Sequence, residues 1–404
     1  MADYIYKARD ATGQPKSGEI SAATEEAAAE MLAEHRLILT KLEVKREKAF
    51  DVTEVLNKLS RVGFKDRVIF TRQLGTMIKS GLPIVQALNI LAEQTSNKKF
   101  QKVIGEISAG IEGGSSFSSM LAKYPKLFDR VYINMTKAGE ASGQLDVTLD
   151  RLATQQEKSY GIIKKVRGAM LYPAFVLVAL IGATVLMLLI VIPPLKTIFE
   201  GAGADLPFAT QVLIKLSDAL QSFWYLFILG AVVLVLGGRQ LLQTEGGQDA
   251  LDRFKLRVPI FGPLFKKIYI ARFTRTLSSL VSGGVPILQA LDIVGESIGS
   301  RTYERALKKA AKEVEGGVQL SQPIRGNPNF PPLVSQMISV GEQTGKMDEV
   351  LSKLASFYEE EVDNLVKNLT TLMEPLLMVV MGAAVGGLLI AILMPIYNLG
   401  SVIK

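Results

Sequence analysis

Ser80-Gly81-Leu82-Pro83-Ile84-Val85-Gln86-Ala87-Leu88 returns 203 residues later as Gly283-Gly284-Val285-Pro286-Ile287-Leu288-Gln289-Ala290-Leu291. Ten residues upstream of the first copy, Phe70-Thr71-Arg72-Gln73-Leu74 returns as Phe273-Thr274-Arg275-Thr276-Leu277. Downstream, Gly139-Glu140-Ala141-Ser142-Gly143-Gln144-Leu145-Asp146 returns at offset 202 as Gly341-Glu342-Gln343-Thr344-Gly345-Lys346-Met347-Asp348. A period this long is no solenoid repeat. It marks a duplicated domain.

Each copy reads as all-α. Phe70, Leu74, Met77 and Ile78 fall on one helix face, and Phe273, Leu277, Leu280 and Val281 repeat that stripe. Gly81 and Gly284 stand where a helix ends in a left-handed residue. Pro83 and Pro286 suit the first turn of the next helix, which has no use for their missing amide hydrogen. Further breaks at Gly113-Gly114 and Gly316-Gly317, and around Pro125 and Pro328, predict about six helices per copy.

The duplication carries a membrane segment with it. Pro173 to Ile192 and Pro375 to Met394 are each twenty residues without a charge. Twenty helical residues span about 30 Å, the thickness of a bilayer's hydrocarbon core. The first stretch holds thirteen Leu, Ile, Val or Phe residues. On insertion scales they contribute about −4 to −8 kcal/mol. Two domain-plus-helix units in one orientation need a return crossing, and Ala219 to Gly238 supplies an uncharged one. Lys158, Lys164, Lys165 and Arg167 precede the first span, and Arg239, Arg253, Lys255 and Arg257 follow the second. The loop between them carries only Lys196 and Lys215. The positive-inside rule then places both repeats in the cytoplasm.

The expected layout is a small N-terminal module over residues 1–48 and a linker helix over 49–65. The first helical domain covers 66–172 and the first transmembrane helix 173–195. A periplasmic loop follows over 196–218, then a second transmembrane helix over 219–238. The second helical domain covers 239–374, the third transmembrane helix 375–397, and a periplasmic tail 398–404. In the module, Tyr4 to Arg9 and Lys16 to Ala22 read as strands around a turn at Asp10 to Gln14. Thr24 reads as an N-cap before Glu25 and Glu26, and Ile38 to Val44 as a closing strand, giving a ββαβ order. A short helix is expected over Val52 to Leu59. The fold class is therefore an all-α membrane protein, with two homologous cytoplasmic helical bundles, three spans and a small α+β module.

The composition agrees. The chain of 404 residues is 48% hydrophobic, with a mean hydropathy of +0.26. The net charge of +7 collects at membrane flanks, and no basic-aromatic cluster points to nucleic acid. No cysteine is present, which excludes disulfides and thiolate chemistry. The N-terminus has neither the basic nor the apolar region of a cleavable signal.

The chemical inventory offers no catalytic, cofactor or metal set. The lone histidine, His35, sits beside Arg36 and reads as favourable charge at a helix C-terminus. Glu359-Glu360-Glu361 reads as a solvated helix face. Gly341-Glu342-Gln343-Thr344-Gly345-Lys346 resembles a phosphate loop, but has three residues between glycines where four are needed, and Met347 where Ser or Thr belongs. The first copy has Gln144 in place of the lysine. The helix-turn-helix reading fits both copies, with Gly143 or Gly345 making the turn. Glu140 and Glu342 either cap free amides there, face a partner, or offer carboxylates to a cation. The matched pairs Arg72 and Arg275, Glu140 and Glu342, and Gly143 and Gly345 are candidate partner or domain-interface positions, with intradomain ion pairing as the alternative for the charges. No span contains a charged residue or a histidine, so the spans read as anchors rather than a transport path. Gly382 and Gly386 form a small-xxx-small pattern that permits close helix approach, within or between chains.

These motifs, in order and mostly doubled, together with Tyr172-Pro173 at membrane entry and the Met1-Ala2-x-Tyr4-x-Tyr6-x-Ala8-Arg9-Asp10 start, resemble the inner-membrane platform proteins of type IV pilus and type II secretion machines (the PilC/GspF family). The resemblance covers essentially the whole chain. It implies a non-enzymatic homo-oligomer of the bacterial inner membrane, without cofactor or metal. It also implies partners: a hexameric motor ATPase, pilin or pseudopilin subunits, inner-membrane alignment proteins and the surrounding lipids, with no nucleic acid. The Phe-Thr-Arg-Gln-Leu wording favours the pilus machine over secretion.

Overall fold

The computed structural model describes residues 2–9, 15–34, 37–44, 61–195, 197, 208–242, 244–259 and 261–402. The turn expected at Asp10 to Gln14, His35, and the helix expected over Val52 to Leu59 lie outside the described residues. The chain divides into two compact units, Met1–Arg61 with Ser96–Lys99, and the remainder.

The first unit holds β1 (Ala2–Arg9), β2 (Pro15–Ala22), α1 (Glu25–Glu34) and β3 (Ile38–Val44). Central β1 pairs antiparallel with both neighbours, setting Tyr4 opposite Ile20 and Val44. Alternation puts Tyr4 and Ala8 on one face, and both are buried. Ala28 and Leu32, one turn apart on α1, are buried too. Thr24 Oγ1 accepts the Ala27 amide at 3.3 Å, so the helix starts where an N-cap residue occurs.

The second unit opens with α2 (Phe64–Lys79), α3 (Ile84–Gln94), α4 (Lys98–Glu112), α5 (Phe117–Ala122), α6 (Arg130–Ala141) and α7 (Leu145–Leu186). Then come α8 (Phe208–Leu241) and α9 (Glu245–Arg257). The second repeat is α10 (Gly262–Ser282), α11 (Ile287–Ser297), α12 (Arg301–Glu315), α13 (Ser321–Arg325), α14 (Pro332–Thr344) and α15 (Met347–Val402). Each repeat thus has six helices among the described residues, matching one to one. Gly81 and Gly284 take φ of +86° and +78°, a region open to glycine without steric cost. Pro83 and Pro286 stand one residue before the following helix, not inside its first turn. Their ψ near 140° is extended, and only the next residue turns helical.

The predicted stripes are core. Phe70 and Leu74 of α2 pack with Leu88 of α3 and Ile104 of α4, and Phe273, Leu277, Leu291 and Leu307 repeat the arrangement. Phe70 meets Phe100 edge-on at 5.3 Å, and Phe273 meets Phe330 the same way. The two repeats are not separate bodies, since their buried side chains join in one continuous cluster. A second cluster packs Ile162 of α7 with Leu264 and Ile268 of α10 and Val362 and Val366 of α15.

The last helix of each repeat runs into the apolar segment without a break. Leu145–Leu195 and Met347–Leu393, of 51 and 47 residues, are long and apolar enough to cross a membrane. Only 11% of each apolar window is buried within the protein, so these helices present their side chains outward, as lipid-facing helices do. Pro173 lies inside α7. A π turn, Met187–Val191, interrupts the α pattern farther along. Ser217 Oγ donates to the carbonyl of Leu188 in that turn at 2.6 Å, and Thr210 Oγ1 donates to the Ala391 carbonyl at 2.8 Å. Both hydroxyls serve carbonyls on the other two apolar helices, where water is absent.

Three expectations need correcting. The stretch taken as loop over 196–218 is helical from Phe208 onward, and Ile214 is buried against Leu188 and Ile192. Lys215 and Asp218 set the expected boundary, but the apolar stripe Leu213, Ile214, Leu220, with buried Ser217 on it, runs past them. The return crossing is also not straight. Its backbone is non-helical at Phe223, and its halves, Thr210–Leu226 and Ile228–Leu241, are bent by 55°. The second half alone reaches about 21 Å, short of a bilayer core. Among the described residues two helices are therefore long and apolar enough to cross a membrane, or three if the bent pair crosses as one. Finally, the tail assigned to 398–404 continues the helix of α15 to Val402.

Candidate functional site

Arg72 projects from α2 onto α7. Its Nε and Nη2 each donate to Glu157 at 2.6 Å, Nη1 donates to Asp150 at 2.7 Å, and Nη2 also reaches Thr154 at 3.1 Å. Arg275 does the same from α10 onto α15. Nε and Nη2 donate to Glu359 at 2.7 and 2.9 Å, and Nη2 reaches Ser356 at 3.2 Å. Glu157 and Glu359, and Thr154 and Ser356, are themselves matched at offset 202. A guanidinium fork gripping one carboxylate is the strong form of ion pair. Each clamp thus staples the first helix of a repeat to its membrane-directed last helix. The Arg72 hydrogen bonds hold the Glu157 carboxyl below its ordinary range, and those same bonds push Arg72 up.

The copies differ in burial. The Arg275 and Glu359 side chains are 15% and 13% exposed, those of Arg72 and Glu157 34% and 42%. Lys158 lies 3.7 Å from Glu359, so the second clamp is also touched by the first repeat. Glu359 is therefore not the solvated residue that the acidic run 359–361 led us to expect. Glu361 is likewise engaged, by Lys267. The sequence signal for these partners was their recurrence one repeat apart from matched arginines.

Glu140 and Glu342 cap amides, but not at the junction where they sit. Glu140 Oε1 and Oε2 accept the Phe117 and Ser118 amides at 2.6 and 3.0 Å. Glu342 accepts those of Leu320 and Ser321 at 2.6 and 3.3 Å. Each carboxylate thus closes the start of the short helix α5 or α13, whose free N–H groups carry partial positive charge. Gly143 and Gly345, with φ of +68° and +69°, turn the chain from α6 into α7 and from α14 into α15.

The segment resembling a phosphate loop follows a helix, not a strand, and Lys346 lies 3.9 Å from Glu349 with both side chains exposed. A Cβ on Gly382 or Gly386 would meet nothing within 4 Å, so no close helix approach within the chain uses them. The within-chain reading of that pattern is corrected: α15 does pack against α8 farther along, at Ala391, but not through these glycines. No group of three or more acidic or histidine side chains is placed for a metal ion among the described residues.

Comparison with known proteins follows this anatomy. Residues 70–193 and 273–395 each match the family described as "Type II secretion system (T2SS), protein F". Residues 1–43 match "Type II secretion system protein F, N-terminal domain". The chain is 38% identical over 403 residues to the type IV pilus assembly protein PilC of Myxococcus xanthus, covering 100% of this chain and 96% of that protein. It is 39% identical over 401 residues to PilC of Thermus thermophilus, covering 99% and 98%. To the type II secretion system protein F of Pseudomonas aeruginosa it is 30% identical over 406 residues, covering 100% of both. With its N-terminal module and both repeats matched, the chain belongs to the type II secretion system protein F family.

Proposed function

We propose that this chain is the inner-membrane platform of a type IV pilus assembly machine, coupling a cytoplasmic motor ATPase to the insertion or extraction of pilin subunits. The observation that carries the pilus assignment is full-length similarity at 38–39% to pilus assembly proteins, against 29–33% to type II secretion F proteins. The secretion platform is the second reading. The fold supports a mechanical role. Each repeat's last helix continues into the apolar segment, so rotation or displacement of the helical body reaches the bilayer through rigid helix. The clamps at Arg72 and Arg275 lock those helices to their own domains. Both repeats lie on the cytoplasmic side in this reading, and the machinery partners are the motor, the pilins and the alignment proteins.

The deciding experiment is affinity capture of the full chain from native membranes, with surface pili scored in a deletion strain. Retention of a motor ATPase and pilins, with pili lost on deletion, is expected. Retention of pseudopilins, with secretion lost and pili intact, would transfer the chain to the secretion machine. Topology is checked separately. Single cysteines at Gly113 and Gly316 should react only with reagents that enter the cytoplasm, and one at Gly201 with impermeant reagent from outside. Outside labelling at Gly316 would overturn the orientation.

The chain is proposed not to be an enzyme. Purified protein should hydrolyse no ATP, and Lys346→Ala should leave pili intact. ATP turnover abolished by Lys346→Ala would contradict this.

A further inference from the structure

The two repeats meet head to tail rather than as two-fold partners. Repeat one presents α6 and α7. Repeat two presents α10, α11 and α15. Gln289 of α11 donates to Asn134 of α6 at 3.1 Å, and Arg130 pairs with Glu296. Gln155 of α7 donates to Thr276 of α10 at 3.1 Å, and Arg151 donates to the Ser282 carbonyl. A two-fold pair would repeat each contact with the roles exchanged. The exchanged set would place α14 and the matching face of α15 against α2 and α3, whose described side chains there are exposed.

What stands on the open surfaces is informative. Phe357 occupies the position of Gln155 and is 45% exposed. Leu333 and Val340 occupy those of Val131 and Ala138, and both are exposed. Three large apolar side chains therefore line the face of repeat two that corresponds to the docking face of repeat one. On repeat one, Lys65 and Gln73 replace the buried Ile268 and Thr276, and both are exposed. Ile69 lies between them on the same stripe, 44% exposed. Gln86 and Glu93 of α3 reproduce Gln289 and Glu296, the residues that grip α6 inside the chain, and both are exposed.

We propose that these two faces bind each other between copies of this chain. The α14–α15 face of one copy docks on the α2–α3 face of the next, continuing the packing already made within each chain. Phe357 and Val340 cover Ile69, and Gln336 reaches Gln86 as Asn134 reaches Gln289. A heterologous contact closes into a ring or runs on as a filament. Apolar helices on both repeats hold every copy in one bilayer plane, which excludes a helical filament and leaves a ring or a planar row. The inference does not rest on the pilus reading.

The chain lacks cysteine, so the contact is testable by cross-linking in membranes. Two differently tagged full-length chains, one Ile69→Cys and one Phe357→Cys, are co-expressed and oxidised. A disulfide between the two tags is expected in the mixture, and its loss when either variant is expressed alone. Phe357→Cys chains linking to each other would show a two-fold contact and overturn the proposal. No link in the mixture would overturn it as well. Independently, Phe357→Arg should reduce the mass of the detergent-solubilised assembly without moving its melting temperature. An unchanged mass would be equally fatal. Neither arm involves motor or pili, so its failure leaves the proposed function standing.

Discussion

Arg275→Glu is expected to destabilise the chain by about 3 kcal/mol, the lower end of the cost of removing one partner of a buried ion pair, because this pair keeps some solvent contact. The substitution leaves Glu359 without its fork and sets a second carboxylate against it. Arg72→Glu should cost less, about 1 kcal/mol, because its clamp is more exposed and better screened. Thermal unfolding of the full chain in detergent gives the comparison, and equal shifts for both would refute the burial argument. The pair of variants also separates structure from docking. Lost pili with an unchanged melting temperature in Arg72→Glu would return that arginine to an interface role. Acid adds a sign. Glu157 is held below its ordinary range in the fold. The contribution of the first clamp is therefore full above the unfolded carboxyl range and is lost as pH falls through the lower, folded value. Arg72→Met should flatten that part of the acid-unfolding curve.

Glu342→Ala should cost about 2–4 kcal/mol, since it strips acceptors from two part-buried amides at once. Glu140→Ala should cost less. In the first repeat Ser116 also accepts the Ser119 amide at 3.3 Å, so α5 keeps a cap when the carboxylate goes. Helix α13 has no side-chain cap of its own. Glu342→Gln should recover part of the loss, because a neutral amide still offers one acceptor oxygen. Melting temperatures in the order wild type, Glu342→Gln, Glu342→Ala are expected. If Glu140→Ala proves the more damaging variant, the serine does not substitute as argued.

The Arg72 and Arg275 partners show why such sites resist a linear reading. Each pair is separated by more than eighty residues of helical bundle. Recurrence could flag four charges as worth explaining, but not whether they faced one another or a partner. The glutamates at 140 and 342 carry the same lesson. They sit beside a helix junction in sequence, yet serve the start of a helix more than twenty residues upstream.

The sequence alone determined the duplication, the helical class, the apolar segments and the glycine turns, because these follow from local period, run length and backbone conformation. Residues such as Leu74, Leu277, Gly81 and Gly284 announce themselves through spacing or through the one conformation that glycine tolerates. Only the tertiary structure decided the rest. It joined the two repeats into one core, carried α7 and α15 into the apolar segments without a break, and bent α8 at Phe223. It also consumed Arg275 and Glu359 in a part-buried pair while leaving Phe357 and Ile69 exposed. These outcomes depend on which faces meet in three dimensions, and two copies of one helical pattern permit several such meetings. The chain takes the head-to-tail one, and packing of α7 against α10 and α15 is the physical reason.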